Sequence, residues 1–138
     1  MKVRCIVNNL NSDKLSPETL TRLKRYISLP DGELDLEIGK EYVVYGIEFW
    51  DNCPWLYLCP DDYDEYPIPV AADFFETIDK RLSTHWQLNS KEASNSENQT
   101  QLVFSEWASD ESFYENLISG EKYAEVIFDK YRKIMDAE

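Results

Sequence analysis

The densest run of chemically capable side chains is Pro60-Asp61-Asp62-Tyr63-Asp64-Glu65-Tyr66, with four carboxylates and two phenols in one connection. Carboxylates this close can ligate a hard divalent cation, run acid–base catalysis, or present charge to a basic surface. Calcium ligation by such a loop needs the EF-hand register and its central glycine, and the run has neither. Catalysis needs a concave site that holds one carboxyl at a raised pKa, and no flanking pattern supplies one. An interaction surface uses every residue type present: the carboxylates make charge-assisted bonds to Lys and Arg, while Tyr63 and Tyr66 act as rigid aromatic anchors. The candidate partner-binding set is Asp61, Asp62, Tyr63, Asp64, Glu65 and Tyr66, with Asp51 and Trp55 around the preceding turn behind them. The plainer alternative is a solvated loop whose charges guard a sheet edge against aggregation.

No other residues form a recognisable catalytic or cofactor pattern. His85 is the lone histidine, and neither a GxSxG elbow nor an H-E-x-x-H pair accompanies it. Gly32, Gly39, Gly46 and Gly120 fit no phosphate-binding loop. Cys5, Cys53 and Cys59 are odd in number and match no zinc or disulfide spacing, so they are expected to be buried, reduced thiols. Cys59 lies in an apolar run and reads as a small hydrophobe, not as a nucleophile in an electropositive setting. The expectation is a protein without metal or cofactor.

The charge is unevenly placed. The 138 residues have a formal net charge of −13, and the segment from Asp31 to Asp79 contains fourteen carboxylates against the single base Lys40. The remainder is balanced, with thirteen charges of each sign. Such a field repels nucleic acid and anionic membranes and attracts basic proteins. With 43% hydrophobic and 14% aromatic residues the chain has enough to bury, and its length suits one domain over 1–138. The charged start and the lack of any long apolar run lead to the expectation of a cytoplasmic protein.

The elements that position these residues follow from periodicity. Lys2 to Val7 alternates as a strand. Ser16 caps a helix whose apolar face is Leu20, Leu23 and Ile27, with Pro17 in its first turn. Glu41 to Trp50 and Trp55 to Cys59 read as strands joined by a turn at Asp51-Asn52-Cys53-Pro54, and Tyr66 to Val70 as a short edge strand limited by its prolines. Phe74, Phe75, Ile78 and Leu82 predict a helix over Ala71 to Leu82, with Thr84 to Leu88 as the next strand. The polar stretch Asn89 to Gln101 predicts a flexible loop. After it come a helix with Ser109-Asp110 as its cap, containing Phe113, Tyr114, Leu117 and Ile118, a stop at Gly120, and a last helix striped by Tyr123, Ile127, Tyr131 and Ile134. This order predicts an α+β fold: a small antiparallel sheet, possible as an SH3-like half-barrel over Leu36 to Val70, packed by C-terminal helices.

Several runs together resemble the small immunity proteins encoded beside bacterial polymorphic toxins, including those of contact-dependent growth inhibition systems. They are Leu36-Glu37-Ile38-Gly39-Lys40-Glu41-Tyr42-Val43-Val44-Tyr45-Gly46-Ile47, Tyr57-Leu58-Cys59-Pro60-Asp61-Asp62, Phe74-Phe75-Glu76 and Leu82-Ser83-Thr84-His85-Trp86. The resemblance covers roughly Leu36 to Trp86. It implies a protein that binds the C-terminal toxin domain of a delivered effector, often a nuclease, and blocks it. Immunity families differ widely in fold, so the resemblance assigns no contact residue. Two other readings remain at this point: a small enzyme using a divalent metal held by the carboxylates, and a regulatory module that binds a peptide along a strand edge.

Overall fold

The computed structural model describes residues 1–28, 34–51, 53–92 and 98–138. In chain order the elements are β1 (Lys2–Cys5), α1 (Pro17–Leu23), β2 (Glu41–Val43), β3 (Gly46–Trp50), β4 (Cys53–Leu58) and β5 (Ile68–Ala71). A 3-10 turn (Ala72–Phe74) leads into β6 (Phe75–Asp79), then β7 (Trp86–Glu92), β8 (Asn98–Phe104), α2 (Ser105–Ser109), α3 (Phe113–Ile118) and α4 (Lys122–Ala137). The strands form two antiparallel sheets, ordered β2-β1-β6 and β5-β4-β3-β8-β7. The protein is α+β, with its C-terminal helices packed on the sheets. The strands between Leu36 and Val70 are shared by two open sheets in place of one curled half-barrel, because β2 pairs with β1 while β3 pairs with β4 and β8.

Alternation along β1 buries Val3 and Cys5 and leaves Arg4 outside, where its guanidinium lies 2.9 Å from Glu76 of β6 and 4.0 Å from Glu41 of β2. Two apolar clusters follow from the layering. One gathers Val3, Leu23, Tyr42, Leu56 and Phe74 beneath α1, and the other gathers Tyr57, Phe104, Trp107, Phe113 and Phe128 beneath α2 to α4. Trp86 packs against both, and its indole N–H donates to the Tyr45 carbonyl. Each fully buried phenylalanine contributes about 1.5–3 kcal/mol of transfer free energy, so these rings are the main anchors of the helical layer. Between β3, β4 and β8 the buried carboxylate of Glu48 accepts from the Tyr57 hydroxyl at 2.9 Å and the Gln101 amide at 3.2 Å, which pins the three strands in register.

The helix ends obey local chemistry. Ser16 Oγ accepts from the Thr19 amide at the start of α1. Gly120, at φ +80°, ends α3 in a Schellman arrangement: its amide donates to the Leu117 carbonyl and the Glu121 amide to the Asn116 carbonyl. Asp51, at φ 51°, follows Trp50 in the left-handed region that an aspartate tolerates, and Trp50 pairs with Cys53; Asn52 of the expected turn lies outside the described residues.

Four sequence expectations are corrected. The helix over Ala71 to Leu82 is instead the 3-10 turn and β6; Ile78 and Leu82, half of its supposed apolar face, are exposed, and β6 pairs with β1 through Cys5 to Phe75. The flexible loop from Asn89 to Gln101 is largely the β7–β8 hairpin, with residues 93–97 outside the described residues. Polar side chains conceal strand alternation there, and pairing of β8 with β3 supplies the order. Of the expected Ser109-Asp110 cap, Ser109 belongs to α2, while Asp110 Oδ1 accepts from the Ser112 amide and the Asp110 carbonyl from the Phe113 amide, each at 3.0 Å, in the turn that leads into α3. On α4 the buried stripe is Ala124, Phe128, Tyr131 and Met135, while Tyr123 is exposed. Two overlapping stripes are possible on this helix, and the ring of Phe128 against Tyr45 selects the second.

Candidate functional site

The acidic run occupies the connection between β4 and β5, and its own carboxylates shape it. Asp61 Oδ1 accepts from the Tyr63 amide at 2.9 Å, an Asx-type turn, and Asp64 Oδ2 accepts from the Asp61 amide at 2.8 Å. The Asp64 amide closes the loop on the Asp61 carbonyl at 3.1 Å. Asp61 and Asp64 therefore spend acceptor capacity inside the loop. Asp62 and Tyr63 are turned outward, with the Asp62 side chain 89% exposed and Tyr63 92% exposed, and Glu65 is also exposed.

Distant elements fix this loop to the body. The Arg132 guanidinium of α4 donates to the Asp64 carbonyl and, at 3.0 Å, to the Asp62 carbonyl. It also lies 5.9 Å from the Tyr45 ring centre and 6.0 Å from that of Phe128. Lys40 donates to the Pro60 carbonyl at 3.3 Å and stands 3.9 Å from the Asp62 carboxylate. At the far end the Tyr114 hydroxyl of α3 donates to the Pro67 carbonyl at 2.8 Å. The loop is thus fastened through main-chain oxygens, which leaves its outward side chains available.

A cleft of about 330 Å³ opens beside the loop, lined among others by Lys40, Tyr45, Cys59, Arg132 and Asp136. Tyr45 donates to Asp136 Oδ1 at 2.6 Å, and burial, followed by that carboxylate, pushes its phenol well above the ordinary range. Burial pushes the Cys59 thiol up to about 12 in spite of the nearby Arg132. Both groups keep their protons at neutral pH, so the cleft offers neither a thiolate nucleophile nor a phenolate base. Cys5 and Cys53 are likewise buried free thiols, raised chiefly by burial. Among the described residues no three His, Cys, Asp or Glu side chains converge as metal ligands. No described helix is long and apolar enough to cross a membrane.

Asp51 and Trp55 are placed elsewhere. Asp51 sits at the opposite end of the β3–β4 hairpin, where it accepts from the Tyr26 hydroxyl at 2.8 Å and lies 3.6 Å from Arg25. The five residue steps of β4 put roughly 17 Å between that turn and the acidic loop. Trp55 is only 4% exposed and stacks on Trp50 with ring centres 5.0 Å apart, so it is a core residue. The structure brings together Asp61 to Tyr66 and separates Asp51 and Trp55 from them. Sequence reading missed Arg132 and Tyr114, whose roles arise only when α3 and α4 fold back onto β4. Lys40 had one signal, as the only base in the acidic segment. Compared with known proteins, the chain matches no family model, no curated protein and no solved structure.

Proposed function

We propose that this chain is a non-catalytic cytoplasmic inhibitor of the immunity-protein type, which binds a cognate basic toxin domain, such as a nuclease, through the Asp61–Tyr66 loop. The observation that supports it best is the pinned loop, whose carbonyls are held by Arg132 and Lys40 while Asp62 and Tyr63 stand in solvent. A pre-ordered loop loses little conformational freedom on binding, and an exposed tyrosine between carboxylates suits a cationic surface. The net charge of −13 would speed encounter with a basic groove built for phosphates. The carboxylate-metal enzyme gains no support, because Asp61 and Asp64 face the loop's own amides.

The test is growth rescue. Each toxin-like domain encoded beside this protein is expressed in cells with the wild type or with an Asp62→Lys/Tyr63→Ala/Glu65→Lys variant. Rescue by the wild type and its loss in the folded variant supports the reading; equal rescue by both contradicts the assignment of the loop.

A further inference from the structure

We infer that β7 is a self-association edge: two copies pair their β7 strands antiparallel about a two-fold axis through Leu88, merging two five-stranded sheets into one. The inference is independent of the acidic loop and of what that loop binds.

Sheet edges are liabilities because their unpaired amides and carbonyls template another strand, and proteins blunt them with prolines, charge, bulges or brevity. Three of the four edges here are blunted. β2 has three residues and begins with Glu41. β6 has Glu76 and Asp79, and its pairing with β1 is irregular between Lys2 and Val3. β5 has four residues, contains Pro69 and follows Pro67. β7 differs: it runs for seven residues without proline and, among the described residues, pairs with β8 alone. Among the described residues, no main-chain bond other than those to β8 engages Gln87 to Glu92. Leu88, 71% exposed, is the most exposed large aliphatic side chain of the described residues.

A second copy suits this edge in particular. No formal charge occurs from Leu82 to Ser90, so two such strands meet without opposing like charges. A register centred on Leu88 sets that side chain against its own copy, Gln87 against Asn89, and Trp86 against Ser90. β7 also stands four strand spacings, about 19 Å, from β5 and the acidic loop beside it, beyond the screening length of about 8 Å at physiological salt. A single pair of edge strands covers less than the roughly 800 Å² per partner of a standard interface, so the association is weak and concentration-dependent. Because each copy has a net charge of −13, added salt weakens the mutual repulsion and leaves main-chain pairing intact. Dimerisation therefore strengthens with salt, opposite to capture of a cationic partner.

The experiment is sedimentation velocity on the full chain, from about 1 µM to about 500 µM, at low and high sodium chloride. The expected result is a monomer–dimer equilibrium that tightens about threefold or more at high salt. Leu88→Lys places like charges opposite each other at the axis and weakens dimerisation at least about tenfold, with an unchanged circular dichroism spectrum. Val126→Lys, on an exposed apolar position of α4, leaves it unchanged. A monomer throughout, a dimer that salt weakens, or one sensitive to Val126→Lys but not to Leu88→Lys overturns the inference.

Discussion

Replacing Arg132 with Met keeps an aliphatic stem against Tyr45 and Phe128 but removes both donors to the loop carbonyls of Asp62 and Asp64. A hydrogen bond from a charged donor contributes about 1.5–3 kcal/mol where the acceptor is otherwise dry. These carbonyls lie on an exposed loop, and water replaces much of each bond, so the expected loss is about 1–2 kcal/mol in total. For a chain of this length that lowers Tm by about 3–6 °C. The effect should be concentrated locally. Among the described residues the amides of Asp61, Tyr63 and Asp64 are bonded only within the loop, and their hydrogen exchange should accelerate about 5- to 30-fold, while amides of β3 and β4 follow global stability alone. Nuclear magnetic resonance exchange on the wild type and Arg132→Met reads all of these together. If the three loop amides exchange at the wild-type rate while Tm falls, Arg132 supports α4 packing and does not hold the loop, and the reasoning fails.

Three further outcomes follow from the packing. A Cβ on Gly46 meets Val103 Cγ1 at 3.0 Å and the Leu102 carbonyl at 3.4 Å, so Gly46→Ala should destabilise by about 1–3 kcal/mol in chemical denaturation; a cost near zero would show that β3 and β8 separate freely. Burial holds the Cys53 and Cys59 thiols at about 12 and the Tyr114 phenol at about 12, above their ordinary values of 9.0 and 10.0. The folded state binds these protons more tightly than the unfolded state, so stability is full below about pH 9 and falls as pH climbs towards 12, by up to about 1.4 kcal/mol per unit for each cysteine; a flat stability profile between pH 9 and 11 contradicts this. For the same reason all three cysteines should resist a thiol reagent at neutral pH until the chain unfolds, and rapid labelling of native protein would show that Cys59 is accessible from the cleft.

The sequence made some of this legible and hid the rest for physical reasons. Strands β1, β3, β4 and β5 and helices α1, α3 and α4 were marked by strong alternation, turn residues or caps such as Ser16 and Gly120. β6 was hidden because Phe74 and Phe75 face the core from a 3-10 turn and a strand in succession, which imitates helical spacing. The β7–β8 hairpin was hidden because Asn, Ser, Gln and Thr give no apolar alternation, and its order comes from β3 across the sheet. The acidic loop was legible as a unit, since its residues are contiguous. Its fastening was not, because Arg132 is 68 residues from Asp64 and Tyr114 is 47 from Pro67. Composition could not divide the loop's carboxylates into those that fold it, Asp61 and Asp64, and those that face outward, Asp62 and Glu65.

That division defines the most direct test of the account. Wild-type protein and the Asp62→Lys/Tyr63→Ala/Glu65→Lys variant are immobilised side by side, challenged with extract from cells expressing the proteins encoded beside this chain, and washed at low and then high salt. The account expects one basic domain to be retained by the wild type in stoichiometric amount, to weaken at high salt, and to be absent from the folded variant. Equal retention by both proteins, or none by either, contradicts it.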